Sequence, residues 1–188
     1  EDRRVSRLWW TPLLLDLLGQ AERFGRSYNT ALAWYRKEFR VRGRQRPIPD
    51  LTSRGAEWEL PVWAYRSDET RRRLFVVRVS GRVRLLADGE EIGCFTLDDF
   101  AEFDHLISPL RGTEWRLRPR ALTLTIWARL FLADLFIHGI GGAKYDRISD
   151  AIIADYFGIE PPEMACVSAT LLLDLPQTST VPETIHGL

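Results

Sequence analysis

The stretch His138-Gly139-Ile140-Gly141-Gly142-Ala143-Lys144-Tyr145-Asp146 concentrates more chemistry than any other part of the chain. An apolar run, Leu135-Phe136-Ile137, precedes it, and an amphipathic stretch, Ala143 to Phe157, follows it. Glycines between a strand and a helix let the backbone approach a bound group closely. The first amides of the helix are unpaired donors with the positive end of the helix dipole behind them. Such a turn can hold a phosphate or a carboxylate. Lys144 adds a point charge and Tyr145 a hydroxyl. An imidazole is the side chain suited to taking or giving a proton under ordinary conditions, which makes His138 the candidate catalytic residue. The expected substrate contacts are Gly139, Gly141, Gly142, Lys144, Tyr145 and Asp146, joined by Arg118 and Arg120 from a cluster that includes Arg111 and Arg116. The plain structural alternative is a tight turn whose glycines only serve a positive φ.

Other chemistries fit less well. The spacing is neither G-x-G-x-x-G nor a Walker loop. His138-Gly139 with Gly141-Gly142 is similar to the H-G-G-G oxyanion loop of lipases and esterases, but no G-x-S-x-G elbow exists, and Ser149 and Ser168 have the wrong neighbours. Two Cys and three His give no zinc signature. Asp98, Asp99, Glu102 and Asp104 crowd one short segment without EF-hand spacing, so no metal is expected. The pattern names no cofactor. Cys166 sits in an apolar run and reads as an inert core thiol.

The elements that must position these residues follow from period and punctuation. Thr11-Pro12 reads as the N-cap and first position of a helix over Leu13 to Leu18. A second helix follows Ser27, with Tyr28, Ala31, Leu32, Tyr35 and Phe39 at spacings of three and four. Arg44 to Gly55 carries Pro47 and Pro49 and reads as a linker. Leu60 to Arg66, Leu74 to Ser80 and Arg82 to Ala87 alternate as strands, with Gly81 and Asp88-Gly89 as turns. Thr96 with Asp99 predicts a short helix to about Ile107, and Pro109 to Arg118 a loop. Ala121 to Asp134 is an apolar helix. Gly158 fits a helix C′ position, Pro161-Pro162 a break, and Met164 to Leu173 an apolar strand. Strand, glycine turn, helix and strand make a βαβ unit.

The expected class is therefore α/β. A helical arm (1–45) leads to a small antiparallel sheet with a short helix (46–110), a Rossmann-like parallel βαβ unit (111–175) and a tail (176–188). With 45% hydrophobic residues in 188, the chain has enough apolar side chain for a core. No run of about 18 apolar residues and no charged-then-apolar leader is present, so neither a membrane span nor secretion is expected, and the cytosol is the default compartment. The first residue, Glu1, predicts a piece of something longer.

Formal net charge is zero, but residues 1–84 hold 19 Lys/Arg against 10 Asp/Glu, and the remainder 7 against 16. Nucleic-acid contact through Arg36, Lys37, Arg40, Arg42, Arg44 and Arg46 is the weakest of three readings, because no motif with groove geometry accompanies the charge.

From Leu135 to Leu172 the chain resembles the end of the core domain of the cysteine-adding enzymes of bacillithiol biosynthesis. That segment runs as apolar strand, G-P-G-E-x-x-Y, helix, Gly, P-P, then P-R-x-x-x-T and a strand. Here it reads Gly139-Ile140-Gly141-Gly142-Ala143-Lys144-Tyr145, then Pro161-Pro162, Ala165-Cys166 and Thr170. Arg118-Pro119 before the apolar helix is similar to an Arg-Pro of the family. The resemblance implies a Rossmann-like core, a pocket at the glycine turn and a ligase that joins cysteine to an amino-sugar malate. Three departures matter: Ile140 stands for the family's Pro, Gly142 for its Glu and Cys166 for its Arg. The first half of that core is absent from these residues. The expected partner is thus a small anionic substrate, that missing N-terminal half or another protein, and the chain alone is expected to be catalytically incomplete. The competing reading is a binding or interaction module that keeps the fold without the chemistry.

Overall fold

The computed structural model describes residues 10–41, 48–66, 70–96 and 113–172. The short helix expected to about Ile107, its acidic residues, Arg111, His105, the tail with His186, and Arg42, Arg44 and Arg46 lie outside the described residues.

Helix α1 spans Thr11–Gly19 and α2 spans Ala21–Glu38. Trp10, not Thr11, is the N-cap of α1, and Pro12 lies in its first turn, where no intrahelical donor is needed. Leu13, Leu14, Leu17 and Leu18 form its buried stripe. The second helix starts at Ala21 rather than after Ser27, and Ser27 is a buried residue inside it. Its inner face is Phe24, Tyr28, Ala31, Leu32 and Tyr35.

Six strands follow in one sheet: β1 (Ser53–Arg54), β2 (Glu57–Tyr65), β3 (Arg72–Val79), β4 (Arg82–Ala87), β5 (Glu90–Thr96) and β6 (Arg116–Pro119). They run β1-β2-β3-β4-β5 with every pairing antiparallel, and β6 pairs with β2. Positive φ at Ser80-Gly81 and Asp88-Gly89 matches the expected two-residue hairpin turns. The segment read as a loop before Arg118 instead contributes β6. Its partner β2 is irregular between Leu60 and Trp63, where Pro61 has no N–H to give the ladder and its carbonyl accepts from the Arg120 amide at 2.9 Å.

The last third comprises α3 (Ala121–Phe131), β7 (Phe136–His138), α4 (Ile140–Ile152), a π-helical turn over Ile153–Phe157 and β8 (Met164–Cys166). Gly158 takes φ +68° and ends the helix as expected. The two strands pair in parallel, Phe136 with Met164, Ile137 with Ala165 and His138 with Cys166. The chain is thus mixed α and β with a mostly antiparallel sheet, and its parallel part is a single βαβ unit of two three-residue strands. The apolar strand expected to reach Leu173 stops at Cys166. That cysteine is free and exposed, not a core thiol, at the end of a small sheet on which α4 packs.

One core cluster joins α1, α2, the sheet, α3 and α4, from Trp10 to Tyr156. Phe24 lies 4.9 Å from Tyr156, and Tyr35 lies 5.8 Å from Tyr145, so α2 and α4 run antiparallel. No helix among the described residues is long and apolar enough to cross a membrane.

Candidate functional site

The site begins where β7 hands over to α4. Gly139 is extended (φ −75°, ψ 168°) and serves as N-cap without a side chain to offer. The amides of Ile140, Gly141 and Gly142 open the helix, which carries no side-chain cap. These residues and Gly139 are all exposed.

None of the three glycines has a positive φ; among the described glycines that belongs to Gly55, Gly81, Gly89 and Gly158. The alternative of a turn built only for left-handed backbone is therefore overturned. Gly142 is required for a different reason. A Cβ there would lie 2.6 Å from Nδ1 of His138, so the imidazole occupies its place. At Gly139 and Gly141 a Cβ would meet nothing within 4 Å. The glycines cost helix propensity and leave open ground in front of the first amides.

His138 is half-buried beside Phe136, and its Nε2 lies 3.0 Å from Asp146 Oδ2. A carboxylate only accepts, so Nε2 carries the hydrogen, and in the neutral ring Nδ1 keeps its lone pair over Gly142. Asp146 is held in turn. Arg129 of α3 donates from Nη1 to the same Oδ2 at 2.7 Å, and the same nitrogen lies 2.8 Å from Asp150 Oδ1. Its Nη2 donates to the Pro162 carbonyl, which ties α3, α4 and the approach to β8 together. Arg129 and Asp146 are both almost wholly buried. Among the described residues, Asp146 Oδ1, Arg129 Nε and Ser149 Oγ of this cluster are buried with no hydrogen-bond partner.

The expected residues divide. His138, Gly139, Gly141, Gly142 and Asp146 come together. Lys144 and Tyr145 lie on the next turn and lean toward α2: Lys144 Nζ is 5.6 Å from the Phe39 ring, and Tyr145 faces Tyr35. Arg118 sits exposed on β6 opposite Trp63. Arg120 is committed elsewhere, donating to Glu59 Oε1 at 2.6 Å with its guanidinium 4.1 Å from the Trp63 ring. Arg129 was missed, although a signal existed: it is the single charged residue in Ala121 to Ala133 and so demands a buried acid.

The Gly142 contact gives a prediction of sign. In an ordinary helix Gly→Ala stabilises by roughly 0.5–1 kcal/mol. At Gly141 that gain is available. At Gly142 the methyl displaces His138 from Asp146 and forfeits a charge-assisted hydrogen bond of roughly 1.5–3 kcal/mol. Gly142→Ala is expected to lower stability by about 1 kcal/mol, and Gly141→Ala to leave it unchanged or raise it; urea unfolding of the pair checks this.

Among the described residues no group of three or more His, Cys, Asp or Glu is placed to hold a metal. No family model, curated protein or solved structure matches the chain.

Proposed function

We propose that the first turn of α4 binds the phosphate or carboxylate of a small molecule, and that His138 Nδ1 accepts a proton from an amine or thiol attacking beside it. The observation that carries this is the bare helix start at Gly139 and Gly141, beside a histidine whose outer nitrogen is freed by a buried carboxylate. Amides without a cap, a positive dipole end and room for an oxyanion are what such a ligand needs. The chemistry is that of a ligase-like core, as the resemblance over Leu135 to Leu172 implies. His138 is the residue that would take a proton from an attacking amine or thiol.

The same reading supplies the partner. Parallel strands are ordinarily covered on both faces and joined by more than one neighbour. His138 faces α4, so Ile137 and its pair Ala165 face the other way. On that face Leu135, Ile137 and Val167 are 61%, 58% and 57% exposed. We assign it to the other half of a Rossmann-like core, working in the cytosol, without which the chain is a binding unit and not a complete enzyme.

Calorimetric titration with inorganic phosphate tests the site. Phosphate is expected to bind the wild-type chain, and Gly141→Asp is expected to weaken binding at least about tenfold, since a carboxylate then occupies the anion's place. An acid in the first turn suits the dipole, so the unfolding midpoint stays at or above the wild-type value. Equal affinity in the two proteins excludes the site.

A further inference from the structure

We infer that the cleft between the start of α2 and the sheet takes a small organic anion, with one carboxylate or phosphate held by Arg23 and Arg78 and an apolar body against Trp58. This site is separate from the turn at α4 and does not rest on it. The cleft has a volume of about 1030 Å³. Small-molecule sites run from roughly 300 to 1,000 Å³, so there is room for a whole ligand and not only for an ion. One stripe of α2, made of Arg23, Arg26, Ser27 and Thr30, lines it at spacings of three and four. The sheet contributes Trp58 of β2 with Val76 and Arg78 of β3, and the π-helical turn contributes Asp155.

The charges of the lining do not all cancel. Arg26 donates from Nε and Nη2 to Glu22 Oε1 at 3.1 and 2.7 Å, so that pair is neutral. Arg23 and Arg78 are held differently. Arg23 Nη2 donates to the Tyr156 carbonyl, and Arg78 Nη2 to the carbonyls of Leu18 and Gly19 at the end of α1. Each guanidinium is thus fixed by neutral oxygens through one terminal nitrogen. Among the described residues neither has a carboxylate within ion-pair distance, so each keeps its charge and its other N–H groups to donate to a ligand oxygen. Three cations stand against Glu22 and Asp155, which leaves one net positive charge and suits one anionic group. Gln20 makes no side-chain cap for α2, and Gly19, Gln20 and Ala21 line the same cleft, so the positive end of an 18-residue helix adds to it.

Two further observations point to a ligand. Ser27 is 4% exposed, and its Oγ has no hydrogen-bond partner among the described residues. It is an unmet polar group in the wall of the cleft, of the kind that a bound polar molecule satisfies. Trp58 supplies the apolar surface. A Cβ on Gly25 would come within 3.0 Å of Trp58 Cε3, so α2 clamps the half-buried indole and fixes its place. An apolar body beside that ring, with Val76 next to it in the lining, gains contact area that a bare anion does not.

The probes are naphthoate, naphthyl phosphate, the neutral naphthamide and inorganic phosphate. They are titrated calorimetrically into the whole chain carrying Gly141→Asp, so that the turn at α4 does not contribute. At least one naphthyl anion is expected to bind about tenfold more tightly than both the amide and inorganic phosphate, and the tighter of the two names the acid. Arg23→Gln, at an exposed position, and Arg78→Gln are each expected to weaken that binding about tenfold. Asp155→Asn is expected to tighten it by a factor of roughly three, because a like charge leaves the cleft. Both arginines also hold carbonyls, so unfolding midpoints are measured alongside; Arg23→Gln and Asp155→Asn carry the test where Arg78→Gln does not fold. Amide binding as tight as that of the anions, inorganic phosphate as tight as naphthyl phosphate, or anion binding unchanged in folded Arg23→Gln overturns the inference. Absence of binding by both naphthyl anions overturns it too, and leaves the α4 site to its own titration.

Discussion

Arg129→Leu lowers the stability of the fold by about 3–5 kcal/mol, or roughly 6–20 °C in Tm. The guanidinium is nearly inaccessible and bridges Asp146 and Asp150 from one nitrogen while holding the Pro162 carbonyl with another. Leucine fills part of the volume but leaves a buried carboxylate without its cation. The cost therefore lies in the orphaned Asp146 more than in the lost attraction. Arg129→Leu combined with Asp146→Asn is accordingly expected to recover part of the loss, although each change alone destabilises. Urea unfolding of the three variants measures it; a single Arg129→Leu within about 1 kcal/mol of wild type shows that the cluster is not a buried ion pair in solution.

Glu59→Leu is the second large loss, again about 3–5 kcal/mol. Glu59 is buried in β2, where Oε1 accepts from Arg120 and Oε2 from the amide and hydroxyl of Thr52. With Glu59 removed, Arg120 loses its carboxylate and keeps the Trp63 ring beside it. Burial alone pushes the Glu59 carboxyl up; the hydrogen bonds from Thr52 and Arg120 outweigh it and hold the pKa below the ordinary 4.5. A lowered folded-state pKa means that the unfolded chain binds its proton first as pH falls. The contribution is whole above pH 4.5 and is lost as pH drops through the folded-state value. Glu59→Gln is therefore expected to be less stable at neutral pH and to show a flatter loss of stability in acid. A parallel acid limb in wild type and Glu59→Gln contradicts the pairing.

How much of this was legible in residues alone depends on how local each cause is. Ser80-Gly81 and Asp88-Gly89 announce their turns because positive φ selects residue type directly. Strand β5 leaves no period in the sequence, since Glu90-Glu91 and Gly93-Cys94 interrupt the alternation and its register shifts against β4 between Leu85 and Leu86. Strand β6 is four residues ending in proline, too short for a period to show. The apolar spacing of three and four is clear only after Ser27, whereas α2 starts at Ala21, behind a Gln20 that makes no side-chain cap and so carries no sign. At the site, Gly139 to Asp146 was readable as a strand-to-helix turn. The reason for Gly142 was not: it is a distance to His138, set by the fold, and the expected positive φ is absent. Arg120 went to Glu59, and Arg129 came from the helix face that composition marks as core, because burial pairs charges across elements that sequence order separates.

The most direct test of the site is nitrogen NMR of the His138 imidazole and of the amides of residues 139–142, before and after adding inorganic phosphate. The expected spectrum at a pH where the ring is neutral has the proton on Nε2 and a bare Nδ1, with Ile140, Gly141 and Gly142 amides shifting as phosphate saturates and not shifting in Gly141→Asp. A proton on Nδ1, or amides that stay in place while phosphate is added, contradicts an anion site with His138 as its proton acceptor.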